Sequence, residues 1–244
     1  MAMPKQPTIG LIVPYSTDDL PPECSTMYPD VRFLARGVGV ERLTADSYEA
    51  AMTRVPAAAE ALADAGADAI MVIGTSLTFY RGAEFNSQLI ERLRAETGLP
   101  ASTMSTAVVE ALRAVGSKRL ALATAYGDEV NGYLCDFLTD SGFEMLALEA
   151  FGLLGFSDPH SKTEAEIVAL SRKAAARAPT ADVLLISCGG LNTLSITPEL
   201  ETSLGVPVVS SMPAGLWAAV RLAGQSGRLA EHGRLFAESR VPTG

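Results

Sequence analysis

Ala181-Asp-Val-Leu-Leu-Ile-Ser-Cys-Gly-Gly190 carries the reading of the fold. Val183 to Ile186 are continuously apolar, the pattern of a parallel strand covered on both faces. The run stops at a thiol followed by two glycines. Open α/β sheets hold their ligand sites at the carboxyl ends of strands, so Cys188 stands where chemistry is done. Gly189 and Gly190 bare the backbone, letting N–H groups approach an anion. A lone cysteine before a glycine turn also reads as a packed core residue. The rest of the chain decides between the two.

The same pattern occurs earlier. Ala67-Asp-Ala-Ile-Met-Val-Ile-Gly-Thr-Ser76 matches the stretch above and sets Gly74 against Cys188, 114 residues on. Thr103–Gly116 matches Ser211–Gly224 at an offset of 108, and Thr8–Tyr15 lies over Arg119–Tyr126 at 111. Two similar α/β lobes facing each other would place Gly74 and Cys188 at equivalent strand ends on either side of a cleft. The expected architecture is therefore α/β, with two pseudo-symmetric, Rossmann-like lobes. Each has a mostly parallel sheet flanked by helices. Residues 1–116, with about 212–244, are expected to form the first lobe, and 117–211 the second.

The punctuation of the chain supports alternating strands and helices. Strands are expected at Thr8–Val13, Ala69–Ile73, 100–103, Arg119–Thr124, Met145–Leu148, Val183–Ile186 and Pro207–Ser210. Helices are expected over about Ala83–Glu96, Thr106–Val115, Asp128–Thr139, Thr163–Ala178 and Ala214–Leu222, with a short one near Pro198. Thr163 and Glu166 have capping-box spacing. A helix from near Asp46, with Glu49 three residues on, would run to Ala65-Gly66 and kink at Pro56. Residues 15–43 and 151–162 read as irregular; the first is long enough for a lid. The last twenty residues read as polar and peripheral.

Composition narrows the function. At 244 residues, 48% hydrophobic and 19% charged, the chain is of ordinary globular make-up. A net charge of −9 argues against nucleic acid or an anionic membrane surface as partner. No apolar run reaches the roughly 18 residues of a membrane span, and the opening residues lack a signal-peptide core, so a cytoplasmic location is expected. Cys24, Cys135 and Cys188 are odd in number and far apart, and His160 and His232 lack ligand spacing, so neither disulfides nor a metal site is expected. No Walker-type loop or G-x-G-x-x-G follows a strand, and Ser187 is not in a G-x-S-x-G elbow.

What remains at the strand ends is a set of neutral donors. Thr75, Ser76 and Tyr126 bring hydroxyls, and Ser76, Gly189 and Gly190 bring backbone N–H groups. Such donors suit a carboxylate, or an enediolate in which both oxygens gain charge. One thiol facing the carbon suits a single proton transfer. Capping for Thr75 and Ser76, and a buried amphipathic role for Tyr126, are the plainer alternatives.

At these residues the chain resembles a known family. Gly74–Ala83 (GTSLTFYRGA), Thr103–Ala107 (TMSTA), Ala123–Tyr126 (ATAY), Ser187–Leu191 (SCGGL) and Gly205–Ser211 (GVPVVSS) are similar to the arylmalonate decarboxylases of the aspartate/glutamate racemase superfamily. The resemblance implies two pseudo-symmetric lobes and a carboxy-lyase without cofactor or metal. It implies that Thr75, Ser76, Tyr126, Gly189 and Gly190 hold the retained carboxylate of a small dicarboxylate in a dioxyanion hole. Cys188 would then protonate the enediolate on one face. Two-cysteine members of the superfamily are racemases, and Gly74 matches the decarboxylases instead. Pro14, Val40, Leu43, Leu77 and Phe156 would line the apolar pocket. Tyr15, Phe156 and Pro159 depart from the family pattern. A racemase or cis–trans isomerase, or a carboxylate-binding protein in which Cys188 is inert, are the alternatives. Oligomeric state is left open, with a monomer slightly favoured.

Overall fold

The computed structural model describes residues 6–237; residues 1–5, which include most of the opening read above, and 238–244 lie outside the described residues. Two four-stranded parallel sheets make the framework. The first holds β1 (Thr8–Val13), β2 (Arg32–Gly37), β3 (Ala69–Val72) and β4 (Ala101–Thr103), in the order β2-β1-β3-β4. The second holds β5 (Arg119–Tyr126), β6 (Glu144–Leu153), β7 (Val183–Ser187) and β8 (Val208–Ser210), in the order β6-β5-β7-β8. Renumbered from one, the second order equals the first, so the repeat in the sequence is a repeat in topology.

Burial accounts for the apolar runs. Every residue of β1, β3 and β7 is buried, as is all of β5 beyond Arg119. Helices cover both faces of each sheet. In both sheets the winding reverses between the two central strands, which opens a crevice at their carboxyl ends. Pro14 and Gly74 follow β1 and β3 there; Tyr126 ends β5, and Cys188 follows β7.

The helices are α1 (Glu23–Met27), α2 (Ala45–Met52), α3 (Val55–Asp64), α4 (Thr75–Phe79), α5 (Gly82–Thr97), α6 (Met104–Ala114), α7 (Asp128–Asp140), α8 (Glu164–Arg177), α9 (Thr197–Leu204), α10 (Ser211–Leu222) and α11 (Arg234–Ala237). Helices α6 and α10, which carry the 108-residue repeat, pack on each other. α10 also lies against β3 and β4 of the first sheet as well as β8 of its own. Gly215 permits this approach, because a Cβ there would stand 3.0 Å from Met104 Cε.

Four expectations are corrected. Residues 15–43 are not irregular throughout: they hold α1 and the edge strand β2, whose two arginines and half-exposed pattern hide its strand character. The helix expected from Asp46 is two helices. It breaks at Thr53-Arg54, and Pro56 sits in the first turn of α3, where its missing N–H costs nothing and no kink arises. Strand β6 runs to Leu153, well past Leu148. It is an edge strand with two register irregularities against β5, and beyond the apolar run Met145–Leu148 its pattern is broken by Glu149 and Gly152. The tail is not wholly peripheral. Leu235 and Phe236 are buried, and the Glu201 carboxylate accepts the N–H groups of Arg234 and Val208, both at 2.9 Å. The Thr163–Glu166 capping box is present as read.

Candidate active site

All twelve candidate residues line one cavity between the carboxyl ends of the two sheets, of about 490 Å3 including its mouth. The strand ends give Pro14, Gly74, Tyr126 and Cys188, and the first turn of α4 gives Thr75, Ser76 and Leu77. Val40 and Leu43 come from the segment after β2, Phe156 from the segment after β6. These two segments meet over the cavity as a short antiparallel bridge between the lobes. Leu43 N–H donates to Leu154 C=O at 2.9 Å, Phe156 N–H reaches Glu41 C=O at 3.4 Å, and Arg42 pairs with Gly155.

Tyr48, Ile73, His160 and Met212 also line the cavity and were not foreseen; Tyr15, noted only as a departure, joins them. Tyr48 comes from α2 and His160 from a single 3-10 turn (Asp158–Ser161), neither near a strand end in sequence. The rings of Tyr15 and Phe156 meet edge to face at 6.0 Å, and His160 stands 6.4 Å from each. Met212 had a signal: it is the repeat partner of Met104, and both methionines reach the position a Gly189 Cβ would take, Met212 Cε at 3.4 Å and Met104 Cε at 3.7 Å.

The turns that end β3 and β7 share an unusual backbone. Gly74 has φ 124°. Cys188, at φ 155°, is the only non-glycine residue with positive φ among the described residues. Holding a side chain in such a region costs on the order of 1–3 kcal/mol, and it persists only where the surroundings impose it. Here the Cys188 N–H donates to Ser211 Oγ at 3.3 Å, and Leu191 N–H donates to the Cys188 carbonyl at 3.2 Å. In the first lobe the Ser105 hydroxyl donates to the Thr75 carbonyl at 2.9 Å and lies 2.6 Å from the Thr78 hydroxyl, which itself reaches the carbonyls of Gly74 and Thr75. Thr75 Oγ1 points at Met104 Sδ, 3.1 Å away, a weak acceptor that a carboxylate oxygen would outcompete. A side chain at Gly190 would be crowded: its Cβ would stand 3.0 Å from Pro159 Cβ.

Electrostatically the cavity is neutral. No Asp, Glu, Lys or Arg is among the described residues lining it. Burial pushes the Cys188 thiol up to about 11, with the N–H of Gly190, the Tyr126 side chain and the N–H of Leu191 pulling it back. Burial also raises the Tyr126 phenol well above its usual range, next to Cys188, and lowers His160. At neutral pH this is a largely apolar pocket of neutral donors with one protonated thiol, on the Cys188 side only.

Fold and site together define a class: two-sheet α/β enzymes that work from a cleft with a strand-end cysteine. The comparisons narrow it. A sequence model of the arylmalonate decarboxylase family matches residues 9–236. A curated arylmalonate decarboxylase from Bordetella bronchiseptica is 45% identical over 240 residues, 98% of this chain and 100% of that one. A liganded arylmalonate decarboxylase carrying Gly-to-Cys and Cys-to-Ser substitutions superposes with a TM-score of 0.94 at 45% identity, over 96% of this chain and 100% of that one. A maleate-bound maleate isomerase variant from Pseudomonas putida S16 superposes at 0.89 with 19% identity, over 97% of this chain and 100% of that one, a likeness of fold alone. The chain belongs to the arylmalonate decarboxylase family, and it is a carboxy-lyase.

Proposed function

We propose that the protein decarboxylates 2-aryl-2-alkylmalonates to single enantiomers of 2-arylcarboxylic acids, with no cofactor. The observation that carries this reading is the unequal pair of strand ends, a thiol at Cys188 and no side chain at Gly74. The carboxylate that is kept accepts from the hydroxyls of Thr75, Ser76 and Tyr126 and from the N–H groups of Ser76, Gly189 and Gly190. First-turn helix N–H groups, such as that of Ser76, have no partner within the helix and are free for this. The carboxylate that is lost lies against Pro14, Val40, Leu43, Leu77 and Phe156, an apolar wall that solvates charge poorly.

Heterolysis of the carbon–carboxylate bond releases CO2 and leaves its electron pair on the carbon, delocalised into the retained carboxylate as an enediolate. The donors stabilise that dianion; each such donor is worth about 10²–10³ in rate. The Cys188 S–H then gives its proton to the near face of the carbon, and the thiolate recovers a proton from solvent. A thiol held near 11 is neutral at pH 7, as this step requires. Gly74 offers no acid to the far face, which sets this reading apart from a racemase. The same reading takes residues 1–116 with about 212–244 as one lobe and 117–211 as the other, and places the protein in the cytoplasm.

The test is the reaction of 2-methyl-2-phenylmalonate in D2O without added metal or cofactor. One deuterated enantiomer of 2-phenylpropionate in excess supports the reading. Absence of CO2 release by folded protein overturns it.

A further inference from the structure

Tyr48 is a buried cavity group that the mechanism above leaves unused. It is the fourth residue of α2, 1% exposed, with its ring 5.4 Å from that of Tyr80 at 60°. Its hydroxyl is inaccessible to solvent and makes no hydrogen bond of normal geometry to the protein. Yet it lines the cavity beside the Ser76 hydroxyl, within electrostatic reach of Cys188 and Tyr126. Phenylalanine would fill the same volume without burying an unpaired hydroxyl, so the oxygen needs a reason to be there.

Ser76 supplies one. A serine hydroxyl has one proton to give and lone pairs to satisfy. When Ser76 gives its proton to a substrate oxygen, its own oxygen becomes a better acceptor, and the phenol next to it is the donor at hand. Hydrogen bonds in such a chain strengthen one another in a dry site. We propose that Tyr48 is a positioning residue for the anion hole: in the substrate complex its O–H donates to Ser76 Oγ. This turns the Ser76 proton toward the retained carboxylate and strengthens that bond as charge moves onto the enediolate. The inference rests on the decarboxylase reading and deepens it, since it extends the donor set to a second layer supplied by α2.

The experiment uses the full-length protein with Tyr48→Phe, Ser76→Ala and the double variant, assayed on 2-methyl-2-phenylmalonate. Tyr48→Phe should lower kcat about tenfold, less than loss of a direct donor, with KM changed less than about twofold. The double variant should be no slower than Ser76→Ala alone, because the phenol acts only through that serine. Thermal midpoint should be unchanged or higher in Tyr48→Phe, since an unpaired buried hydroxyl has been removed. A wild-type kcat in Tyr48→Phe overturns the proposal, and so does a double variant in which the two losses multiply, which would mean separate contacts. A loss of kcat that tracks a fallen thermal midpoint marks Tyr48 as structural and also overturns it. If the wild type itself releases no CO2, the parent reading fails and takes this inference with it; a working wild type with an indifferent Tyr48→Phe sinks this inference alone.

Discussion

The ends of β3 and β7 are the same device put to two uses. Both turns carry positive φ, at Gly74 and at Cys188. Both are braced by a serine at the start of the helix that follows the neighbouring strand, Ser105 on the Thr75 carbonyl and Ser211 on the Cys188 N–H. They differ in where the side chains are. The first lobe puts nothing on the turn and hydroxyls immediately after it; the second puts a thiol on the turn and bare backbone after it. Glycine takes its conformation freely, whereas the cysteine is held in one that few residues adopt. Symmetry of the frame thus brings two turns to one cavity, and asymmetry at three paired positions, Gly74/Cys188, Thr75/Gly189 and Ser76/Gly190, gives one turn the hydroxyls and the other the thiol; on the proposed reading the first holds charge and the second gives the proton.

The largest effect should come from removing the thiol. Cys188→Ala should lower kcat at least about 10³-fold while circular dichroism and the thermal midpoint stay near wild type; a wild-type rate would end the comparison between the lobes. Next comes moving the acid. Gly74→Cys should add racemization of 2-phenylpropionate, seen as decay of optical purity on prolonged incubation. With Cys188→Ser in addition, the opposite enantiomer should predominate. The new Cβ would meet Leu77 Cβ at 3.2 Å, so both variants should also be slower than wild type. Retained optical purity in the single variant would break the two-face argument.

The braces give a finer comparison. Ser105→Ala removes a 2.9 Å bond to the Thr75 carbonyl and should cost about 1–2 kcal/mol and about tenfold in kcat. Ser211→Ala removes a 3.3 Å bond and should cost about 1 kcal/mol or less, with a severalfold loss. Denaturant unfolding and steady-state kinetics on both variants would reverse the ranking if the second turn is the more dependent. Smallest at neutral pH is the effect of titration. The active form is S–H, so kcat/KM should stay level from pH 7 to 9 and fall as pH rises toward the folded thiol's value near 11. At pH 8 the thiolate should then be about one part in a thousand, and iodoacetamide should react slowly with Cys188. A fall centred near 9 would place the thiol in a wet site and remove the contrast in burial that the argument uses.

The buried strands of both lobes were legible because β1, β3, β5 and β7 are covered on both faces, and continuous apolar runs mark such strands. Cys188 and Gly74 were legible because a glycine turn after such a run has few other uses, and the internal repeat set one against the other. Two of the outer strands were less so: β2, which keeps Arg32 and Arg36 partly in water, was missed, and of the mostly half-buried β6 only Met145–Leu148 was read. Nor were Tyr48 and His160, whose places in the cavity come from tertiary packing of a helix and a loop that carry no ligand-like spacing. Local pattern reports what a residue's own element buries; it is silent on which other element will come to rest beside it.

The antiparallel bridge at Arg42 and Gly155 makes the apolar wall a seam. Val40 and Leu43 stand on one side of it and Phe156 on the other, stitched by main-chain bonds that are indifferent to side-chain identity. The wall therefore exists as a wall only while the stitch holds. On the proposed reading, a change of side chain on either flank would reshape the wall without cutting the main-chain bonds that join its two halves.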